Sequence, residues 1–381
     1  MKRIVLGGRG LVTGAGSLKY LSNLKGKKFF IVTGGKSLFN NGTIEKIENI
    51  IKDLKGETFI FKGIKKNPDT DIVLKGLEEM NKFNPDTVIA VGGGSPMDAA
   101  KVMTIMYENK EINFHNILER QLPNKREKIQ FIAIPSTSGT ASEVTKAAVV
   151  TFKDKDLKIG LKTDAFIPDI AILDSDIVMS MPQNIVAETG MDAVTHAVEC
   201  YINKSLDDFT EVIAKGAVEG LFKYLPISYK EATIESREKV HNYQSMAGIA
   251  FANVGLGMAH GISHSIGGRF NLGHGLCNAI ALPYVLEYNS KDREVKGKLN
   301  ILAKTIGVKD FIEEVRNLNN ELNIPNSLKD VFVDEMEFKK DFEKLVENSL
   351  KGSTKSNPVR VSKEDMEKIL KALYYGTKLS I

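Results

Sequence analysis

The fold is decided at residues 88–101, where the chain reads VIAVGGGSPMDAAK. Apolar residues, three glycines and a helix start follow one another, which is the order strand, tight turn, helix. Ser95 is a favourable N-cap, Pro96 suits the first helical position, and Asp98 stands where a capping-box carboxylate would. We therefore expect a helix N-terminus that binds an anion such as phosphate, although a well-capped turn has the same sequence.

Polar loops follow two other predicted strands. Residues 135–143, PSTSGTASE, place five hydroxyls around one glycine after the strand at 131–134, enough donors for a pyrophosphate or ribose. After the strand at 29–32 comes GGKS, where an NAD site commonly has a carboxylate, so this loop favours NADP(H) over NAD(H) unless it is an ordinary turn. The predicted cofactor-binding residues are Gly34, Gly35, Lys36, Ser37, Gly92, Gly93, Gly94, Ser95, Asp98, Thr137, Ser138 and Thr140.

The remaining pattern predicts two domains, as the length of 381 residues also favours. Strands at 59–61 and 170–173 and helices at 44–54 and 72–83 predict an α/β dinucleotide-binding domain with a mainly parallel sheet over residues 1–176. After Met181 and Pro182 the β-branched runs end, which predicts an all-α helical, metal-binding domain over residues 177–381. We expect loops at Pro226, Pro325 and residues 352–353, and a last helix at 363–373.

Composition excludes several function classes. The 52 Lys and Arg against 48 Asp and Glu are scattered, so we expect no nucleic-acid partner. No segment has the length and apolar character of a signal peptide or membrane span, and the two cysteines form no CxxC pair. We expect a cytoplasmic protein with no membrane partner.

The histidines are clustered, since five of the six fall between residues 196 and 274. Asp192 and His196 share a helix face at i,i+4, His260 and His264 repeat that spacing, and His274 stands between glycines on a predicted loop. Asp192 and three histidines would make a nitrogen and oxygen site for Fe²⁺ or Zn²⁺. Three unconnected structural histidines are the alternative.

With these motifs the chain closely resembles the iron-containing (group III) alcohol dehydrogenases, and within them the butanol dehydrogenases and lactaldehyde reductases. Residues 92–98 and 135–145 resemble the family's two cofactor loops, and residues 189–199, 260–264 and 273–275 its metal signatures. The resemblance implies a dehydroquinate synthase-like fold, a homodimer, and Fe²⁺ or Zn²⁺ bound by Asp192, His196, His260 and His274. It places Lys158 on the cofactor, Phe251 in the substrate pocket and His264 beside the nicotinamide; we assign catalytic roles to His264 and Asp98.

These expectations define a metal-dependent alcohol dehydrogenase, in which the ion acts as a Lewis acid and hydride passes between NAD(P)H and a small primary alcohol or aldehyde of the butanol type. A glycerol-type polyol dehydrogenase or a dehydroquinate synthase relative is the first alternative. A metallohydrolase is less favoured, because the chain has no HExxH and two anion-binding loops would have no purpose. A nucleotide-binding sensor without turnover is the third.

Overall fold

The computed structural model describes residues 3–155 and 157–379. The chain forms two compact units, one of Val5–Met181 and one that runs from Pro182 onward and includes residues 3 and 4. The predicted boundary after residue 176 falls within a short helix, Ser175–Val178, that belongs to the first unit.

The first unit is built on a six-stranded parallel sheet. Its strands are β1 (Gly10–Thr13), β2 (Lys28–Thr33), β3 (Glu57–Phe61), β4 (Thr87–Gly92), β5 (Gln130–Pro135) and β8 (Ile170–Leu173), in the order β1-β8-β5-β4-β2-β3. All five predicted strands are present. Three strands were not predicted: β1 and an antiparallel pair outside this sheet, β6 (Ala147–Phe152) and β7 (Leu157–Lys162).

Helices cover both faces of the sheet because its strands are apolar on both sides. Along β2, Phe30 and Val32 join one core cluster with side chains of the helices α3 (Thr70–Phe83) and α4 (Gly94–Glu108). Phe29 and Ile31 join the opposite cluster with the helix α2 (Thr43–Asp53). Burial of alternate residues on opposite faces is typical of a parallel sheet between two helical layers. The unit also contains α1 (Ser37–Asn40), α5 (Ser175–Val178) and the 3₁₀ turns Ser17–Asn23 and Asp164–Phe166.

The start of α4 differs from the prediction. The N-cap is Gly93 and no side chain caps the helix, so Ser95 is its second residue and Pro96 its third. Asp98 does not form a capping box, because both its carboxylate oxygens bind elsewhere: Oδ1 accepts from Ser142 Oγ and Oδ2 from Val149 N. The first amides of α4 are therefore left without a side-chain partner from the helix start itself.

In its described residues, the second unit consists of helices joined by loops, with no strand. Its helices are α6 (Gln183–Ile202), α7 (Asp208–Lys230), α8 (Ile234–Val254), α9 (Met258–Phe270), α10 (His274–Asn289), α11 (Arg293–Ile306), α12 (Phe311–Glu321), α13 (Glu335–Ser349) and α14 (Lys363–Tyr375), with a 3₁₀ turn at Gly352–Ser356. No single described helix has the length and apolar composition to span a membrane; α8 and α9 pass that test only as a pair, bent by 103° at the break between them.

One predicted loop in this unit is wrong, because Pro226 lies inside α7. A proline inside a helix costs about 3 kcal/mol, since it removes a backbone donor and crowds the preceding turn. Close packing offsets this cost: Leu221 and Leu225 of α7 are fully buried, and a Cβ built on Gly190 of α6 would lie 2.3 Å from Leu225 Cδ1. Each buried leucine contributes about 1.5 to 3 kcal/mol.

Candidate metal centre and cofactor loops

Three of the four predicted metal ligands form one cluster of donor atoms. Single atoms of Asp192, His260 and His274 all lie within 4.8 Å of one another. Oδ1 of Asp192 is 3.7 Å from Nε2 of His260 and 3.7 Å from Nε2 of His274. The fourth residue, His196, places Nε2 3.9 Å from the same oxygen. One carboxylate oxygen therefore faces three imidazole nitrogens.

Three helices bring these side chains together. Asp192 and His196 lie one turn apart on α6, and His260 is the third residue of α9. His274, predicted on a loop, is instead the first residue of α10. Its loop-like sequence is explained by the glycine N-cap before it, Gly273, since caps and loops share the same residue types.

Two of the predicted ligands, Asp192 and His260, have pKa values shifted toward the forms that coordinate a cation. Burial alone would raise the pKa of the Asp192 carboxyl, but attraction to His196, His274 and His260 holds that pKa below its usual value. Burial, followed by repulsion from His196 and His274, lowers the pKa of His260 well below its usual value. A charged carboxylate and a neutral imidazole are the forms that coordinate a cation.

Glycines allow the helices to approach at this point. A Cβ built on Gly275 would lie 2.1 Å from the backbone oxygen of Glu188, so the N-terminus of α10 touches α6 directly. A Cβ on Gly257, the N-cap of α9, would lie 2.9 Å from Oε1 of Glu199 on α6. The start of α10 thus lies against the backbone of α6, and the start of α9 lies against the Glu199 side chain of α6, so the donor atoms of the three helices meet.

Two buried polar residues that were not predicted contact the predicted ligands. Nδ2 of Asn278 lies 2.7 Å from Asp192 Oδ1, 3.1 Å from His260 Nε2 and 3.2 Å from His274 Nε2. Oε2 of Glu199 lies 2.7 Å from Nδ1 of His260. Spacing offered a signal for both, since Asn278 is four residues after His274 and Glu199 seven after Asp192, each on the ligand's helix face.

Aromatic rings extend the cluster on both sides. Phe251 of α8 stacks on His196 with ring centroids 4.4 Å apart, which places this predicted substrate residue beside a predicted ligand. His264, one turn after His260 on α9, stacks on His274 at 5.0 Å and is exposed. The structure thus brings both residues to the cluster, and their roles stay predictions.

In the other unit, the predicted cofactor loops lie together at the carboxyl ends of β2, β4 and β5. A Cβ built on Gly34 would lie 3.5 Å from Cγ of Pro96, and one on Gly94 would lie 3.1 Å from Oγ1 of Thr140. The amide of Ser136 also donates to the Gly92 carbonyl at 2.8 Å. Ligands of open parallel sheets bind at this edge, where loops from neighbouring strands meet.

The other predicted cofactor residues follow the same three loops. Gly35, Lys36 and Ser37 are exposed after β2, and Thr137 and Ser138 follow β5. A Cβ on Gly93 would lie 3.4 Å from Oγ1 of Thr137. Lys158 stands apart on β7, where it is exposed and pairs with Thr151 in the antiparallel sheet. A cofactor role for Lys158 remains a prediction from the resemblance.

A buried lysine ties the helix α4 to the loop after β5 and to the strand β6. Lys101 of α4 is 1% exposed, and its Nζ donates to Ser142 Oγ at 2.8 Å and to the Ala147 carbonyl at 2.8 Å. Burial lowers the pKa of this amine to about 8. Asp98 accepts from the same Ser142 hydroxyl, so its carboxylate contributes to holding the loops; a catalytic role for it remains a prediction.

The donor set fits a divalent ion. A carboxylate oxygen and imidazole nitrogens around one point match the preferences of Fe²⁺ and Zn²⁺, and no sulfur stands among these donors to favour a softer metal. The hydrogen-bonded carboxylate behind His260 is the outer arrangement that metal-bound histidines commonly have.

Comparisons with known proteins agree with this arrangement. Residues 9–175 match the model of the iron-containing alcohol dehydrogenases, and residues 186–374 match the C-terminal model of the same family. The chain is 40% identical to the NADPH-dependent butanol dehydrogenase of Clostridium saccharobutylicum, covering 97% of this chain and 98% of that one. It is 36% identical to the bifunctional aldehyde-alcohol dehydrogenase of Escherichia coli K12 and spans 43% of its length.

A solved structure gives the same result for the fold. The iron-containing alcohol dehydrogenase of Thermococcus thioreducens superposes with a TM-score of 0.92 at 32% identity, covering 98% of this chain and 100% of that one. The family matches of both halves of the chain, the relative matched over nearly its whole length and the fold lead to the same family. The chain therefore belongs to the iron-containing alcohol dehydrogenase family and is a metal-dependent oxidoreductase of the alcohol dehydrogenase class.

Proposed function

We propose that the protein reduces short-chain aldehydes to primary alcohols with NADPH, using Fe²⁺ bound by Asp192, His196, His260 and His274. The observation that carries the proposal is the convergence of the donor atoms of Asp192, His260 and His274 within 4.8 Å in a chain of this family. Within the proposal, residues up to 176 bind the cofactor and the remaining residues hold the metal. Within the same proposal, the protein acts in the cytoplasm as a homodimer.

The cofactor preference rests on the loop after β2. Gly34 and Gly35 leave no carboxylate beside the adenosine ribose, and Lys36 is exposed in the same loop. A carboxylate there would accept from a ribose 2′-hydroxyl and repel a 2′-phosphate. The 40% identical relative is described as NADPH-dependent, which supports the same assignment.

The residues of the chain divide the chemical work. A bound divalent ion supplies Lewis acidity. It polarises a carbonyl group and stabilises the charge that develops on the carbonyl oxygen by several kcal/mol. Phe251 provides an apolar wall beside His196 for an alkyl chain. His264 is exposed and stacks on His274, a position from which an imidazole can exchange a proton with solvent.

Anaerobic purification and loading with Fe²⁺ allow a direct test. The protein would be assayed with NADPH and NADH against aldehydes from ethanal to hexanal, and with glycerol and NADP⁺ in the reverse direction. We expect NADPH oxidation with butanal and a higher kcat/KM for NADPH than for NADH. Consumption of neither cofactor by the loaded protein refutes reductase activity, whereas a clear NADH preference refutes only the interpretation of the loop after β2. Faster turnover of glycerol would favour the polyol dehydrogenase alternative.

A further inference from the structure

We propose that Glu199 is a positioning residue of the metal centre, which fixes the tautomer and orientation of His260 so that its Nε2 lone pair faces the metal. The inference rests on the metal-dependent function proposed above. It concerns a side chain that neither the spacing of the histidines nor the metal signatures assigned.

Three nitrogen atoms contact the Glu199 carboxylate and fix its position. Oε2 accepts from the Gly257 amide at 2.8 Å and lies 2.7 Å from Nδ1 of His260, and Oε1 accepts from the Ala259 amide at 2.6 Å. The side chains of Glu199 and His260 are each 1% exposed, so water does not compete for these contacts. Each oxygen accepts a hydrogen bond from a backbone amide, and in the proposed arrangement Oε2 also accepts one from Nδ1–H of His260.

The tautomer of His260 follows from this contact. An imidazole that donates Nδ1–H to a carboxylate keeps its lone pair on Nε2. Nε2 is the atom that lies 3.7 Å from Asp192 Oδ1, on the side of the donor cluster. The opposite tautomer would place a hydrogen in the cluster and a lone pair against the carboxylate. Glu199 therefore selects the form of His260 that coordinates a metal.

The same side chain sets the position of α9 relative to α6. Residues 192, 196 and 199 occupy one face of α6, so the helix presents two ligands and the positioning carboxylate together. The amides of Gly257 and Ala259 lie at the start of α9, where a negative charge is favourable, and no side chain of α9 itself caps that end. Glu199 therefore fixes both the ring of His260 and the helix that carries it.

A purely structural role, as the cap of α9, makes a different prediction. A cap stabilises α9 whichever side chain stands at position 260, whereas a positioning residue acts on the metal through His260. Substitution with glutamine separates the two, because the Glu199→Gln amide keeps the shape but replaces one acceptor with a donor. Whichever way the amide turns, at least one of the three donors around it meets another donor.

The test measures the affinity for Zn²⁺ alone, by competition with a chromophoric chelator, in the full-length protein. We expect Glu199→Gln to weaken Zn²⁺ binding about 10- to 100-fold. Glu287→Gln is the matched control. It makes the same change to a partly buried carboxylate on α10, whose Oε1 lies 2.5 Å from the Arg316 guanidinium. Its Zn²⁺ affinity should stay within about twofold of the wild type, as expected for a change away from the ligands.

A double-mutant cycle then identifies the route of the effect. In the His260→Ala background, Glu199→Gln should change the Zn²⁺ affinity less than threefold, since the side chain through which Glu199 acts is gone. An equal loss in both backgrounds would overturn the positioning role in favour of a helix cap. Unchanged Zn²⁺ affinity of Glu199→Gln in the wild-type background would overturn it as well. If neither the wild type nor any variant binds Zn²⁺, the result refutes the proposed metal site and not the positioning role of Glu199.

A measurement on the wild-type protein keeps the inference testable if Glu199→Gln does not fold. Nitrogen-15 labelling of the six histidines allows their tautomers to be assigned in the Zn²⁺-loaded protein, with His260 identified from the spectrum of the folded His260→Gln variant or by sequential assignment. We expect His260 to carry its hydrogen on Nδ1. A hydrogen on Nε2 would overturn the proposal.

Discussion

Alanine at position 275 should disable the metal centre without changing any ligand. The Cβ of alanine would lie 2.1 Å from the Glu188 carbonyl oxygen, about 1.3 Å short of the 3.4 Å at which ordinary contact begins. The contact is with backbone, so α10 must move away from α6 by about that distance. His274 is the neighbouring residue, and metal sites tolerate ligand displacements of only about 0.2 Å. We expect Gly275→Ala to weaken Zn²⁺ binding by about 100-fold, and overpacking to cost about 1 to 3 kcal/mol of stability.

Gly297→Ala is the control for this change. Gly297 lies inside α11, where a Cβ meets nothing within 4 Å, so alanine should stabilise the protein by about 0.5 to 1 kcal/mol. Its Zn²⁺ affinity should equal that of the wild type. Chelator competition measures the affinity, and thermal unfolding of the metal-free proteins measures the stability. Wild-type Zn²⁺ affinity and aldehyde kcat/KM in Gly275→Ala would refute the argument that close helix approach sets the ligand geometry.

Three further changes test the other sites. Gly35→Asp adds a carboxylate where a Cβ meets nothing within 4 Å, and should shift the ratio of kcat/KM for NADPH over NADH toward NADH by at least about tenfold; an unchanged ratio would place the 2′-phosphate elsewhere. His264→Ala should lower kcat about 10²-fold with full metal content, and loss of the metal would instead identify His264 as a ligand. Burial lowers the pKa of Lys101 from 10.5 to about 8. Between pH 8 and 10.5 the lysine therefore holds its proton in the unfolded chain but not in the folded one, so the free energy of unfolding rises with pH across that range. Lys101→Met should remove that rise, roughly 3 kcal/mol between pH 8 and 10.5, and an identical pH dependence of unfolding in both proteins would contradict it.

Sequence predicted the parts of the fold that bury apolar surface on both sides. The runs at 29–32, 88–91 and 131–134 are central strands, and their lack of polar residues is the direct signature of a sheet between two helical layers. β1 was not predicted because its four residues, Gly10–Thr13, form a short, mostly exposed edge strand that lacks the apolar run of the central strands. The loop predicted at Pro226 was wrong because the packing that keeps α7 helical involves Gly190, which is distant in sequence.

The helix start at the glycine turn shows a different limit. Ser95 has the chemistry of an N-cap, yet α4 begins at Gly94 and no side chain caps it. A prediction from local sequence pairs each polar side chain with a nearby backbone group. Asp98 instead accepts hydrogen bonds from Ser142 and Val149, which lie far along the chain. A tertiary hydrogen bond to a distant loop therefore outweighs the local cap, and the helix start stays open toward the neighbouring loops.

At the metal centre, the same reasoning explains which residues were predictable. Ligands are found by residue type, because only a few side chains bind a borderline cation, and their spacing narrows the set further. Glu199 and Asn278 belong to types that are common on any helix, so their position on a ligand's face carries weight only once α6, α9 and α10 are known to meet. That meeting depends on Gly275, where a Cβ would collide with the backbone of α6, and on Gly257, where a Cβ would crowd the Glu199 carboxylate. We therefore expect the glycines to matter to the site as well as the histidines, since metal coordination depends on tenths of an ångström and the helix spacing sets the ligand positions.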